Sequence, residues 1–196
     1  MSRRAAVADA AARLFLDNGY AETTIAQVAA EAGVSSQLVY AAFGGKAGLL
    51  WAAVDRVAAG DDEPVLMRDR PESLAVAAIK NPRERMRAAA ALVGALNARV
   101  GPLVMLLHRV AGSDPAVAEL QAKLVAAQRE DYLVIAERLA SGMRPDLGVE
   151  GVAEMARVMC GVQVWHGFVV EGGWTQERYV DWLGDALIRL VVAKQP

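Results

Sequence analysis

Apolar side chains recur at helical spacing along most of this chain. Val7, Ala10, Ala11, Leu14 and Phe15 share one face and predict a first helix from about Arg4 to Asp17, stopped by Asn18-Gly19. Ile25, Val28, Ala29 and Ala32 fall at i, i+3, i+4 and i+7 and predict a second. Thr24 is placed to cap that helix, Gln27 to complete a capping box, and Gly33 to end it at positive φ. Val34 plugs the angle that follows. Ser35 caps a third helix whose inner face is Leu38, Val39 and Phe43. Lys46 opens a fourth, carrying Leu49, Leu50, Ala53, Val54 and Val57 to a stop near Gly60. The charged, proline-interrupted stretch Asp61–Ser73 reads as a connector.

Beyond it the punctuation is equally regular. Asn81 caps a helix that starts at Pro82, with Glu84 closing a capping box and Leu92, Val93 and Leu96 on its inner side. Gly101-Pro102 is expected to break it, leaving a short apolar helix from Leu103 to about Val110. Asp114-Pro115 restarts the chain, and Val117, Leu120, Leu124 and Ala127 carry a long amphipathic face toward Leu139 and a stop at Gly142. Val149 to Val170 follows, apolar on nearly every side in its second half, so burial all round is expected. Gly172-Gly173 turns the chain, and Thr175 caps a last helix with Tyr179, Val180, Leu183, Leu187 and Val191. The pattern is all-α, about nine helices: a three-helix N-terminal domain over 1–46, then a larger helical bundle over 47–196.

Two short helices held at a steep angle by a glycine turn form a helix-turn-helix unit, whose second helix is shaped for a DNA major groove. Its outward residues, Ser36, Gln37 and Tyr40, are all hydrogen-bonding types. Composition changes this picture in one respect. The net charge is −2, and within the N-terminal segment Arg3, Arg4, Arg13 and Lys46 are balanced by Asp9, Asp17, Glu22 and Glu31. Phosphate contacts supply most non-specific affinity, so random DNA should bind weakly. The longest apolar stretches are broken by Gly, Pro or His, short of the roughly 20 residues a membrane span needs. The start of the chain lacks a signal-peptide pattern, and the single Cys160 excludes an internal disulfide and suits a reducing cytoplasm.

The stretches AARLFLDNGYAETTI (Ala11–Ile25), VAAEAGVSSQLVYAAFGGK (Val28–Lys46) and GLLWAAV (Gly48–Val54) resemble the TetR family of bacterial transcriptional regulators. The resemblance covers about the first quarter of the chain, with several motif elements in order at the family's spacing. It implies a two-domain homodimer that binds a palindromic operator in double-stranded DNA, represses transcription, and lets go when a small molecule occupies the larger domain. Position by position, it implies DNA contacts at Thr24, Ser35, Ser36, Gln37, Tyr40 and Lys46. Thr24 and Ser35 double as helix caps. Lys46, at a helix start, is placed for a phosphate. The sequence departs from the family at Ala41 and Ala42, where large polar or aromatic residues are common, and at Gly48, where an acidic residue is usual. These losses open a second reading: a helical ligand-binding protein that kept the fold and lost most operator affinity.

In the C-terminal bundle, Met105, His108, Tyr132, Met155, Met159 and Trp165 are candidates to line a cavity for a hydrophobic effector. Val162, Phe168, Val169, Leu183 and Leu187 are candidates for a two-fold dimer interface. No catalytic constellation appears. His108 and His166 follow no zinc pattern, and Cys160, among apolar neighbours, reads as a buried thiol rather than a nucleophile. There is no phosphate-binding loop or dinucleotide fingerprint, so neither cofactor nor metal is expected, and a regulator is favoured over an enzyme.

Overall fold

A computed structural model describes residues 2–60 and 65–193. Ten α-helices run in order among the described residues: α1 Arg3–Glu22, α2 Ile25–Glu31, α3 Ser36–Phe43, α4 Lys46–Ala59, α5 Pro71–Ala78, α6 Pro82–Ala111, α7 Pro115–Arg138, α8 Gly148–Met159, α9 Val162–Trp165 and α10 Gln176–Val191. A 3₁₀ turn, Met67–Asp69, precedes α5, and a π-helical turn, His166–Glu171, continues α9. The chain forms two compact units. The first is Met1–Pro64 with Arg99–Lys123, the second Val65–Ala98 with Leu124–Pro196. Helices α6 and α7 each contribute to both. By packing, α4 goes with α1 rather than with the later helices.

The first unit is built on apolar stripes that meet as their spacing requires. Val7, Ala11 and Phe15 of α1, Ile25 and Val28 of α2, Val39 of α3, and Leu49, Leu50 and Ala53 of α4 are all buried, with Leu103, Leu107 and Val117 supplied by α6 and α7. Each of the larger side chains contributes roughly 1.5–3 kcal/mol by leaving water. Asp9 on α1 and Arg56 on α4 add an ion pair at 3.0 Å. The first helix outruns its expected stop at Asn18-Gly19. Gly19 takes φ 83° and bends the chain, but helical turns resume to Glu22, and Thr23 closes that end by donating to the carbonyls of Gly19 and Leu14.

The second unit packs Met86, Ala90, Ala136, Leu139, Val152, Ala153, Trp165, Tyr179, Leu183, Leu187 and Ile188 into one core. The buried Arg85 guanidinium donates to the carbonyls of Ile79, Leu139 and Ser141, closing helix ends that expose no capping hydroxyl. The end of α10 is zipped to the loop after α7, Arg144 N–H to Val191 O at 2.8 Å and Ala193 N–H to Gly142 O at 3.0 Å.

Three expectations are corrected. Gly101-Pro102 does not break the helix: α6 runs through it for 30 residues. Proline forfeits one backbone bond, but Val100, Leu103, Val104 and Leu107 around it are buried, and that packing outweighs the loss. The apolar run is therefore longer than the sequence suggested. By length and composition α6 is long and apolar enough to cross a membrane, although nearly half of that stretch is buried in the fold.

Next, α5 is a helix where only a connector was expected to end. Pro71 supplies the favoured first position, yet α5 buries no side chain. The turn before it is pinned by charge, Arg68 to Asp131 and Arg138 to Asp69. The rest of the expected connector, residues 61–64, lies outside the described residues.

Finally, the stretch 149–170 is not one helix buried all round. It breaks at Gly161, which is extended (φ −63°, ψ 146°), and widens where the Gly172 N–H reaches back five residues to the Gly167 carbonyl. Val158 and Val170 are half exposed.

Candidate nucleic-acid interface

The turn between α2 and α3 is fixed by backbone chemistry. Gly33, at φ 66°, lets its own N–H reach the Ala30 carbonyl and lets the Val34 N–H reach the Ala29 carbonyl. This is the paired bonding of a Schellman stop. The start of α2 is equally determined: the Gln27 N–H donates to Thr24 Oγ1 at 3.2 Å and the Thr24 N–H donates to Gln27 Oε1 at 2.7 Å, a complete capping box. Ser35 Oγ accepts from the Leu38 N–H at 3.2 Å and starts α3. Arg13 on α1 holds Glu31 at the end of α2 at 2.9 Å.

Only one side of α3 is anchored. Val39 is fully buried, and the far end is held by Arg4, whose guanidinium donates to the Ala42 carbonyl at 2.9 Å and lies 4.6 Å over the Phe43 ring. A cation at a helix C-terminus also opposes the negative end of its dipole. Gln37, Ala41 and Ala42 face solvent, and Tyr40 is 57 % exposed. The outer face of α3 is thus a rigid strip carrying one amide and one phenol, with small alanines beside them. Thr24 and Ser35 are exposed at the two helix starts but have their hydroxyls in caps, and Ser36 is half-buried.

Lys46 is positioned by different means. Two glycines, Gly44 at φ 73° and Gly45 at φ 141°, reverse the chain between α3 and α4. A Cβ on Gly48 would stand 1.9 Å from the Phe43 carbonyl oxygen, so the acidic side chain that the resemblance leads one to expect has no room at this turn. Lys46 Nζ donates to the Ala21 carbonyl at 2.9 Å and stands 4.5 Å over the Tyr20 ring. Burial lowers its pKa, opposed by Glu22 and Asp114. Tyr20 Oη in turn donates to Asp114 Oδ2 at 3.0 Å, while Asp114 Oδ1 caps α7 by accepting from Ala116 and Val117. Burial, then the Asp114 carboxylate, push the Tyr20 phenol well above its ordinary range. A cleft of about 450 Å³ opens here, lined by Tyr20, Lys46, Asp114, Glu119 and Lys123 among others.

The sequence spacing located the exposed strip of α3 and missed this node. Tyr20 lay inside the motif and Asp114 beside a proline, but nothing in the spacing joins residues 94 apart. Arg4, read there only as a balanced charge, is a clamp on α3.

The six candidate ligand residues are divided between the two units. Met105 and His108 belong to the first unit; Tyr132, Met155, Met159 and Trp165 belong to the second. Burial lowers the His108 pKa. Trp165 is buried, with Nε1 donating to Gln176 Oε1 at 2.9 Å, Met159 is half-buried and Met155 exposed. Of the candidate interface residues, Val162 on α9 and Leu183 and Leu187 on α10 are buried within the subunit, and α10 packs against α8. Phe168 and Val169 stay partly buried. Cys160 is enclosed, its thiol pushed up to about 12 by burial. Among the described residues no three His, Cys, Asp or Glu side chains gather as metal ligands.

Comparison with known proteins adds the following. Residues 7–53 match the family model of bacterial regulatory proteins, tetR family. No curated protein matches the chain in sequence. In fold the chain is similar to NalD, the secondary repressor of the MexAB-OprM multidrug efflux pump in Pseudomonas aeruginosa, at 19 % identity over 98 % of this chain and 97 % of that one, TM-score 0.71. It is similar to SmeT, repressor of the Stenotrophomonas maltophilia multidrug efflux pump SmeDEF, at 22 % identity over 99 % and 92 %, TM-score 0.66; SmeT is also known in complex with triclosan. A Syntrophomonas wolfei protein assigned to the TetR-family regulators aligns at 20 % identity over 94 % and 92 %, TM-score 0.74.

Proposed function

We propose that this chain, whose residues 7–53 match the family model of bacterial regulatory proteins, tetR family, is a TetR-family repressor that holds a palindromic operator as a homodimer and is released by a small hydrophobic effector. The observation that carries the reading is the outer face of α3: Gln37 and Tyr40 stand exposed on a helix whose other side and both ends are fixed. An amide there pairs with an adenine edge and a phenol reaches a phosphate. Two such helices must stand about 34–36 Å apart to read successive major grooves. The surface proposed to bring a second copy alongside is Met155 and Val158 of α8 with Val170 of the π-helical turn, 36 %, 50 % and 55 % exposed, beside Phe168 and Val169. The efflux-pump repressors that share the fold support the effector class, since NalD and SmeT each govern a multidrug pump. An effector shifts operator binding only by its differential affinity for the two states.

The test is a gel shift on DNA flanking the gene, with and without triclosan. A specific shift that triclosan weakens, and that Tyr40→Phe reduces several-fold, is the expected result; no shift on any flanking segment overturns it. One observation favours the second reading, a ligand-binding protein with little operator affinity. Arg4, Arg13, Lys46 and Arg56 all spend their charge inside the subunit. Tight ligand binding without any operator shift would select it.

A further inference from the structure

The second unit contains a seam where α6 meets α10 almost backbone to side chain. A Cβ on Gly94 would stand 2.5 Å from Val180 Cγ2 and 3.0 Å from Gln176 Nε2. Asn97 lies three residues along α6 from Gly94, and Tyr179 three along α10 from Gln176, so each pair shares a helix face. Part of the seam's polarity is satisfied. Gln176 Oε1 accepts from Trp165 Nε1, Asn97 Nδ2 donates to the Cys160 carbonyl at 3.0 Å, and the Tyr132 phenol bonds the Cys160 thiol.

Two atoms are left over. Gln176 Nε2 and Tyr179 Oη are buried, and neither donates to an acceptor among the described residues. Tyr179 is wholly enclosed, and burial pushes its phenol up to about 12 against the Asn97 side chain, which turns a donor toward the phenol oxygen. Around them lie Trp165, Leu183, Leu187 and Ala90, all apolar contacts of one core. Native cores rarely leave such groups unmet, because an unmet donor keeps its full desolvation cost. Where they do so, the departure tends to fall at a functional site.

The chemistry of the leftovers defines that molecule. Gln176 Nε2 only donates, and with Asn97 turned toward its oxygen Tyr179 Oη has its O–H left to give. The charged group that acts on the neighbouring Tyr132, Arg157, is already held by Glu154 at 2.6 Å. We propose that the α6–α10 seam is a recognition site for a neutral, largely apolar small molecule carrying one acceptor oxygen, read by Gln176 Nε2 and Tyr179 Oη. This rests on the effector-responsive reading above and names the class of effector. Phe168, on the π-helical turn, packs 6.4 Å from the Tyr179 ring. That irregular turn is the wall that gives way on entry, π-helical turns being frequent at functional sites.

Benzophenone and diphenylmethane separate the outcomes, since they share two rings and differ by a carbonyl oxygen. Titration of the full-length protein, followed by tryptophan fluorescence and thermal shift without DNA, should show benzophenone binding about ten-fold more tightly. The double variant Gln176→Leu, Tyr179→Phe should bind the two alike. Without ligand, Tyr179→Phe should raise Tm by about 2–4 °C, because it deletes a buried O–H that has no acceptor. Equal affinity for the two probes, binding of neither, or a fall in Tm each overturns the proposal. Discrimination between the probes in a protein that shifts no operator would sink the repressor reading and leave this one standing; an operator shift without discrimination would do the reverse.

Discussion

The helix-turn-helix and the α6–α10 seam treat polar groups in opposite ways. In the first, the side-chain hydroxyls at the helix starts are in caps, the turn makes both Schellman bonds, and Arg4, Arg13 and Lys46 are tied to named partners. In the second, an amide nitrogen and a phenol O–H are buried without acceptors. Nearby, a helix with no buried side chain and a π-helical turn interrupt the regular packing. On the proposed function the difference follows from what each region meets. DNA would offer a rigid surface, so a face that reads it must be finished before contact. A core that admitted small molecules would gain from groups whose bonds only the visitor completes.

The largest effect that would sharpen this contrast comes from the first unit's core. Phe15→Ala deletes a ring that is 1 % exposed and should cost about 3–5 kcal/mol, measured by urea unfolding. A loss below about 1 kcal/mol would mean that the unit is held by something other than its packing. A pair of glycines comes next. At Gly48 an added methyl would strike a backbone carbonyl at 1.9 Å, whereas at Gly94 it would strike the ends of Val180 and Gln176 side chains. Gly48→Ala should therefore cost about 1–3 kcal/mol and loosen α3 against α4, and Gly94→Ala distinctly less. Equal costs would erase the distinction between a fixed turn and a yielding seam. Thr24→Ala ranks third. It removes the cap of α2 and should cost about 1 kcal/mol, read as a shift in the urea midpoint at constant slope.

These ranks also explain what could be read in advance. Thr24, Gln27, Gly33 and Ser35 act within three residues of themselves, so spacing alone locates their bonds, and the recognition face with Gln37 and Tyr40 follows. Gly101-Pro102 misled because the local preference of proline lost to the burial of Val100, Leu103 and Leu107, which only the folded chain reveals. Leu183 and Leu187 misled similarly: an apolar stripe does not say whether its partner is the same subunit or another. The Tyr20–Asp114 and Gly94–Gln176 contacts join residues more than 80 apart, and no periodicity encodes such a pairing.

The smallest expected effect is a pH dependence, and it belongs to the first unit. Burial on α6 disfavours the His108 imidazolium and holds its pKa below the ordinary 6.5. The unfolded chain therefore takes up this proton at a higher pH than the folded chain does. Stability from the neutral ring is complete above about pH 6.5 and is lost as pH falls from there through the folded value. The enclosed titratable groups of the second unit contribute nothing in that window, since Cys160 and Tyr179 are pushed up to about 12. His108→Gln should accordingly flatten the decline in Tm between pH 7 and 5.5 while leaving the curve above pH 7 parallel to that of the parent. An unchanged slope would show that the ring is already solvated, and would remove the one titration that sets the two units apart.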